Sequence, residues 1–113
     1  MSGYRVKRVE ALIKEALSPL LIRDYQDEAS GLLTVTRVEI TADLRTARVH
    51  VSVFGAADPA AALERLAQKA GALRKAVASR VKLKYNPELV FVLDLGAEHE
   101  ARIDALLERA KTS

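Results

Sequence analysis

A strict alternation of hydropathy between residues 47 and 54 is the feature that most restricts the fold. Small or β-branched apolar residues occupy every second position, and polar or aromatic residues lie between them (Ala47, Val49, Val51 and Val53 against Arg48, His50, Ser52 and Phe54). A period of two places successive side chains on opposite faces of a β-strand. Another stretch rich in β-branched residues, Leu33 to Thr41, precedes it across a short turn. Two neighbouring strands joined in this way predict an antiparallel hairpin.

The alternation of apolar and polar residues is interrupted in the first strand of this hairpin. Val35 and Val38 are three residues apart, so they cannot share one face at a period of two. One extra residue near Thr36 or Arg37 would return Val38 to the core face. We therefore expect a β-bulge at that point.

Apolar residues at steps of three and four predict helices on both sides of the hairpin. The first such pattern runs from Val6 to Leu20. Pro19 predicts a kink or an early end near Ser18, because proline lacks a backbone donor and clashes with the preceding turn. The polar segment from Asp24 to Gly31 then predicts a loop.

A second helical region follows the hairpin. Asp58 and Pro59 fit its N-cap and its first helical position. Its predicted buried residues are Leu63, Leu66, Ala67 and Ala70. Gly71 interrupts this pattern, which then resumes with Leu73, Val77 and Val81. We interpret Gly71 as the junction of two helices, and one long helix with a tolerated glycine is the alternative.

The segment from Leu89 to Leu95 is apolar on both sides, which predicts a strand covered on both faces or a central strand. A last apolar pattern predicts a short C-terminal helix (Ile103, Leu106, Leu107 and Ala110). No internal repeat, low-complexity tract or linker divides the 113 residues. We expect one domain over residues 1–113, in the order helix, strand, strand, helix, helix, strand, helix.

Basic residues are concentrated between Arg65 and Pro87. Seven of the eighteen basic residues lie there and no acidic residue does, which leaves eleven basic against fifteen acidic residues elsewhere. The seven are Arg65, Lys69, Arg74, Lys75, Arg80, Lys82 and Lys84. Three of them, Arg74, Lys75 and Lys82, are predicted to lie opposite Val77. An acid-free basic stretch is typical of a phosphate-binding surface; a solvated helix face that serves solubility is the alternative.

Several chemistries have no support in the sequence. Cysteine is absent, which excludes disulfides and thiolate metal sites. The two histidines, His50 and His99, are expected at the surface, and no catalytic motif or metal-ligand spacing occurs. We therefore expect neither an enzyme nor a cofactor or metal. No apolar run has the roughly 18–20 residues of a membrane span, and no secretory signal is evident, which predicts a cytoplasmic protein.

Three motifs resemble those of the ribosome-binding factor A family, a group of type II KH-like domains. The hairpin resembles the family's, including the Asp-Leu-x-x-Ala turn at residues 43–47. Gly71-Ala72-Leu73-Arg74 resembles its Gly-x-hydrophobic-Arg motif, and residues 87–94 resemble its Pro-Glu-Leu-x-Phe-x-x-Asp strand. Two positions depart from the family. Asp27-Glu28-Ala29 replaces an Asp-Pro-Arg motif, and Lys69 replaces a small residue at the kink.

This resemblance implies an α+β fold with a three-stranded mixed sheet covered by helices. It also implies binding to the immature small (30S) ribosomal subunit and its 16S rRNA, with help in late maturation and 5′-end processing, above all in the cold. A ribosome-assembly GTPase is a candidate further partner, and we expect a monomer. The expected RNA contacts are Arg65, Lys69, Gly71, Arg74, Lys75, Arg80, Lys82 and Lys84, with Lys7 and Arg8 of the first helix.

Two other functions remain open from the residues alone. The same basic surface could bind an acidic protein partner, which would make the chain a protein-interaction module. A small subunit of an enzyme is the third reading, in which a partner would supply every catalytic group.

Overall fold

The computed structural model describes residues 2–24 and 31–94. Helix α1 spans Ser2–Asp24, and strands β1 (Leu32–Ile40) and β2 (Thr46–Phe54) follow it. Helices α2 (Pro59–Gln68) and α3 (Ala70–Arg80) lead into strand β3 (Glu88–Leu93). The predicted α+β fold and the order of these six elements are confirmed. Of the loop predicted from Asp24 to Gly31, Asp24 is the last residue of α1 and residues 25–30 lie outside the described residues. The predicted helix near residues 103–110 also lies outside them.

The hairpin is antiparallel and contains the predicted bulge. Val35 pairs with Val51 and Arg37 pairs with His50, so Thr36 is the extra residue of β1. Because of this residue, Val38 pairs with Val49 on the core side, and both side chains are buried. The predicted core face of β2 is also correct, since its four alternating apolar residues are at most 1% exposed (Ala47, Val49, Val51 and Val53).

The position expected for the last strand is wrong. Strand β2 is central in the described sheet, and β3 pairs with β2 alone, in parallel. Val90 on β3 is 46% exposed, so this strand is not covered on both faces. A parallel neighbour requires a crossover connection, which α2 and α3 supply. This crossover places β3 beside β2, on the side opposite β1.

Of the two alternatives predicted near Ser18, the early end of helix α1 is wrong. The helix continues past Pro19 for five more residues to Asp24. Leu20 and Leu21 are buried in the core beyond the proline. Their packing offsets the hydrogen bond that Pro19 cannot donate. The hydroxyl of Ser18 donates to the carbonyl of Lys14 across 2.8 Å within the same turn.

The predicted start of α2 is confirmed, but its buried residues differ in part. Asp58 is the N-cap, and its Oδ1 accepts a hydrogen bond from the Ala61 N–H across 3.1 Å. Ala62 and Leu66 are the fully buried residues of this helix. Ala67 is exposed, so its predicted burial is wrong. A step of about 100° from Leu66 turns position 67 away from a stripe that runs through positions 62 and 66.

Two helices do meet here, but the junction lies at Lys69 and not at Gly71. Lys69 ends α2 and begins α3, with φ −97° and ψ 6°. Its N–H donates to the Leu66 carbonyl across 2.9 Å, which closes a tight last turn. Gly71 is the second residue of α3 and is not among the residues with a positive φ. The glycine is therefore not required by the backbone conformation.

Replacing Gly71 by alanine is expected to stabilise the protein by up to about 1 kcal/mol, because alanine favours a helix and loses less entropy on folding. A Cβ at this position would meet no heavy atom within 4 Å. Gly31→Ala is the matched control. It should destabilise, because Gly31 has φ +68° and a Cβ there would overlap the Phe54 carbonyl oxygen. Urea unfolding measures both changes, and a loss of stability in Gly71→Ala would show that α3 does not begin as described.

Val51→Asp is expected to lower the free energy of unfolding by about 3–5 kcal/mol, because it places an unpaired charge in the core. Val51 is 0% exposed between its partners Val35 and Leu93. Thr34→Asp on the exposed face of the same sheet should cost less than about 1 kcal/mol. Thermal unfolding of the two variants compares the faces, and equal losses would contradict the assignment of the core face.

Candidate nucleic-acid interface

The basic residues of the acid-free stretch are exposed, as expected. They lie on α2 (Arg65), at the helix junction (Lys69), on α3 (Arg74, Lys75 and Arg80) and in the loop that follows α3 (Lys82 and Lys84). Lys7 and Arg8 are exposed on α1. The side chains of Lys69, Lys75, Arg80 and Lys82 form no hydrogen bond or ion pair with other residues in the described ranges. Their charges are therefore available to a ligand.

Arg74, Lys75 and Lys82 do not share one face of α3, contrary to the prediction. Three steps of about 100° place Arg74 only about 60° from Val77, whereas Lys75 lies about 160° from it. Helix α3 ends at Arg80 and Val81 is already extended, so Lys82 belongs to the following loop. The cations thus surround the exposed sides of α3 and continue into the loop at residues 81–87.

Arg74 has a structural contact that the sequence did not reveal. Its Nη2 donates to the Asn86 carbonyl oxygen across 2.6 Å. This bond ties α3 to the end of the 81–87 loop, just before Pro87 and β3. A charged donor strengthens such a bond. The other guanidinium N–H groups can still reach a phosphate, because arginine has five donors.

A groove near the start of β3 is a second feature that the sequence did not reveal. Its volume is about 500 Å³. It is surrounded by helix α1, the end of β1, the hairpin turn and the 81–87 loop. Its apolar walls include Val6, Val9, Ile40, Leu83 and Pro87. The polar or aromatic lining residues are Arg5, Lys84 and Tyr85. These residues come from distant parts of the chain. No local pattern could have predicted their meeting.

The outer face of the sheet carries a small ionic cluster. His50 lies on the predicted outer face, but its side chain is only 14% exposed, and its Nε2 is 2.6 Å from Glu39 Oε1. Arg37 Nη2 forms an ion pair with the same carboxylate across 3.2 Å. The hydrogen bond with His50, followed by the charge of Arg37, lowers the pKa of Glu39 below its ordinary value. Arg37 and His50 both contact the carboxylate of Glu39, so the charges of this cluster are paired with one another.

The hairpin turn holds another satisfied carboxylate. Asp43 Oδ1 accepts from the Thr41 hydroxyl across 2.6 Å and from the Arg45 N–H across 3.1 Å. These two hydrogen bonds, the Thr41 bond first, lower the pKa of Asp43.

Within residues 2–24 and 31–94, no group of three histidine, cysteine or acidic residues could hold a metal ion. The helices of the described part include none that is long and apolar enough to cross a membrane.

Arg74→Ala is expected to lower the free energy of unfolding by about 1 kcal/mol, because it removes the hydrogen bond to the 81–87 loop. Lys75→Ala is the matched control, since arginine and lysine have similar helix propensity. Lys75 has no described side-chain partner, so its loss should change stability by less than about 0.5 kcal/mol. Urea unfolding compares the two, and equal effects would show that the Arg74 bond contributes nothing.

Comparison with known proteins extends over nearly the whole chain. The family model of ribosome-binding factor A matches residues 5–107. The protein of that name from Clostridium novyi is 40% identical over 113 residues, covering 98% of this chain and 93% of the relative. The one from Halothermothrix orenii is 38% identical over 112 residues, covering 98% of this chain and 92% of the relative.

Solved structures give the same result. The crystal structure of ribosome-binding factor A from Thermus thermophilus has a TM-score of 0.69 and 31% identity, and covers 78% of this chain and 94% of its own. A homology model of the Thermus factor, fitted into the cryo-EM map of a 30S complex with it, has a TM-score of 0.67 at 31% identity, covering 77% and 92%. Sequence match and fold agree, and the chain belongs to the ribosome-binding factor A family.

Proposed function

We propose that the chain binds the immature small (30S) ribosomal subunit through its 16S rRNA. Its role is to assist late maturation and 5′-end processing, most of all in the cold. It acts by binding and not by catalysis, as a monomeric KH-type domain in the cytoplasm, and a ribosome-assembly GTPase is the candidate cooperating factor. Family membership supports the ribosomal partner, and a relative has been fitted into a 30S complex.

The observation that carries this proposal is the exposed cationic surface around α3 and the 81–87 loop. Helix α3 has no acidic residue, and neither does the stretch from Arg65 to Pro87 as a whole. Lys75, Arg80 and Lys82 are exposed without a described side-chain partner. Such cations bind RNA phosphates and release the counterions condensed on them, a term that is independent of base sequence.

Phosphate binding by a rigid surface can also select an RNA conformation. A protein shifts a conformational equilibrium only as far as it binds one state more tightly than the other. Leu73 and Val77 are buried, which anchors α3 and fixes the backbone positions from which its cations extend. An RNA fold that matches this arrangement is stabilised over misfolded competitors, which interconvert slowly at low temperature.

Lys75→Gln combined with Lys82→Gln tests the proposal. The variant should sediment more weakly with free small subunits in a sucrose gradient. The dependence of log affinity for small-subunit RNA on log salt should flatten by roughly 0.7–0.9 for each phosphate that the variant no longer neutralises. Arg37→Gln combined with Arg48→Gln makes the same change in net charge on the outer face of the sheet and should leave both measurements unchanged.

Two results would count against the proposal. Equal losses in both double variants would mean that net charge, and not the α3 surface, drives binding. Salt-dependent binding of the wild-type chain to acidic proteins but not to ribosomal RNA would favour the protein-interaction module. Thermal unfolding of each variant shows that the fold is intact.

A further inference from the structure

The groove beside Tyr85 lies at the end of the molecule where β3 begins. Tyr85 is 63% exposed, although it is an aromatic residue in a chain that has two phenylalanines, three tyrosines and no tryptophan. The Nζ of Lys84 lies 5.6 Å from the centre of its ring. The ring contributes little to the core, and its position beside a cation and an apolar groove leaves it available to a ligand.

We propose that this groove receives one unstacked nucleobase of a bound RNA, with Arg5 and Lys84 holding the adjoining phosphates. The proposal rests on the RNA-binding function proposed above and adds a specific contact to it. Single-stranded bases are recognised by stacking on aromatic side chains and by insertion into apolar clefts.

The size and walls of the groove suit a flat aromatic ring whose two faces are apolar. Its volume of about 500 Å³ falls within the range of pockets that hold small organic ligands. Val6 and Val9 of α1 form one side, and Leu83 and Pro87 lie on the loop side. The exposed ring of Tyr85 adds a surface on which a base can stack.

The charge at the rim favours a nucleotide over an apolar protein side chain. Arg5 and Lys84 line the groove and are exposed. Among the carboxylates next to lining residues in the sequence, Glu10 and Asp43 have hydrogen-bond partners. Glu10 Oε2 accepts from the Ile40 N–H across 2.9 Å, and Asp43 is bonded within the hairpin turn. Glu88, next to Pro87, is exposed. The groove combines an apolar interior with two cations at its rim, Arg5 and Lys84, as a base and its phosphate require.

The groove is also continuous with the cationic surface around α3. Lys82 and Lys84 stand two residues apart in the loop that runs from α3 to the groove. One RNA strand can thus contact α3 with its phosphates and insert a base beside Tyr85. Arg74 fixes the position of this loop through Asn86.

Methyl NMR on the full chain tests the inference, with a four-nucleotide adenosine RNA as the probe and the same strand with abasic residues as its control. The base-containing strand should shift the methyl signals of Val6, Val9 and Leu83, and the abasic strand should not. Tyr85→Ala should weaken binding of the base-containing strand by about 5- to 150-fold, the range found when one base loses its stacking partner. Tyr85→Phe should retain it.

Phe54→Ala is the matched control, since Phe54 is 65% exposed on the outer face of the sheet. It should bind the probe as the wild-type chain does. Equal shifts with the abasic strand would overturn the inference in favour of phosphate contact alone. Loss of small-subunit binding in Tyr85→Ala with no effect on the oligonucleotide would also overturn it, because the groove would then hold an apolar side chain of a protein.

The outcome separates this inference from the proposed function. If Tyr85→Ala binds both the oligonucleotide and the small subunit normally, while Lys75→Gln with Lys82→Gln loses subunit binding, only the nucleobase site fails. If the wild-type chain binds neither small subunits nor the oligonucleotide, both proposals fail.

Discussion

One extra residue in β1, Thr36, connects this strand to β2, to the end of β3 and to α1. It lets Val35 and Val38 both face the core on either side of the bulge. Its hydroxyl oxygen is 2.6 Å from Asp94 Oδ2 at the end of β3 and 3.2 Å from the His50 carbonyl on β2. Its own carbonyl accepts from Lys14 Nζ of α1 across 3.3 Å. The bulge thus joins three elements while it corrects the phase of a strand.

Helix α1 lies along the edge of β1 and contacts it through two polar side chains. Besides the Lys14 contact, Glu10 accepts the Ile40 N–H, a donor that the sheet leaves unpaired. Polar side chains that satisfy an edge strand in this way discourage pairing with another chain. The same docking of α1 places Val6 and Val9 beside the 81–87 loop and so creates the groove. A contact that protects the sheet edge therefore also shapes the proposed nucleobase site.

The cations show how a residue's role depends on contacts that composition does not contain. Arg74 and Lys75 are neighbours in an acid-free stretch, and nothing in the sequence distinguishes their roles. In the structure Arg74 lies beside the buried stripe and bonds to Asn86, whereas Lys75 points away without a described partner. Tyr85 is the opposite case. It belongs to no motif that the sequence indicates, but its exposure beside an apolar groove makes it a candidate ligand contact.

Local physics explains what the sequence by itself determined. The two faces of β2, the bulge, the Asp58 cap and the exposed basic stretch follow from side-chain periodicity, hydrogen bonding and charge over a few neighbouring residues. Only the tertiary structure decided that α1 continues past Pro19, that the helix junction lies at Lys69 and that β3 is an edge strand. Each of these depends on burial or pairing between residues far apart in the chain. The Arg74–Asn86 bond and the Tyr85 groove have the same origin, because sequence patterns carry no information on which distant surfaces meet.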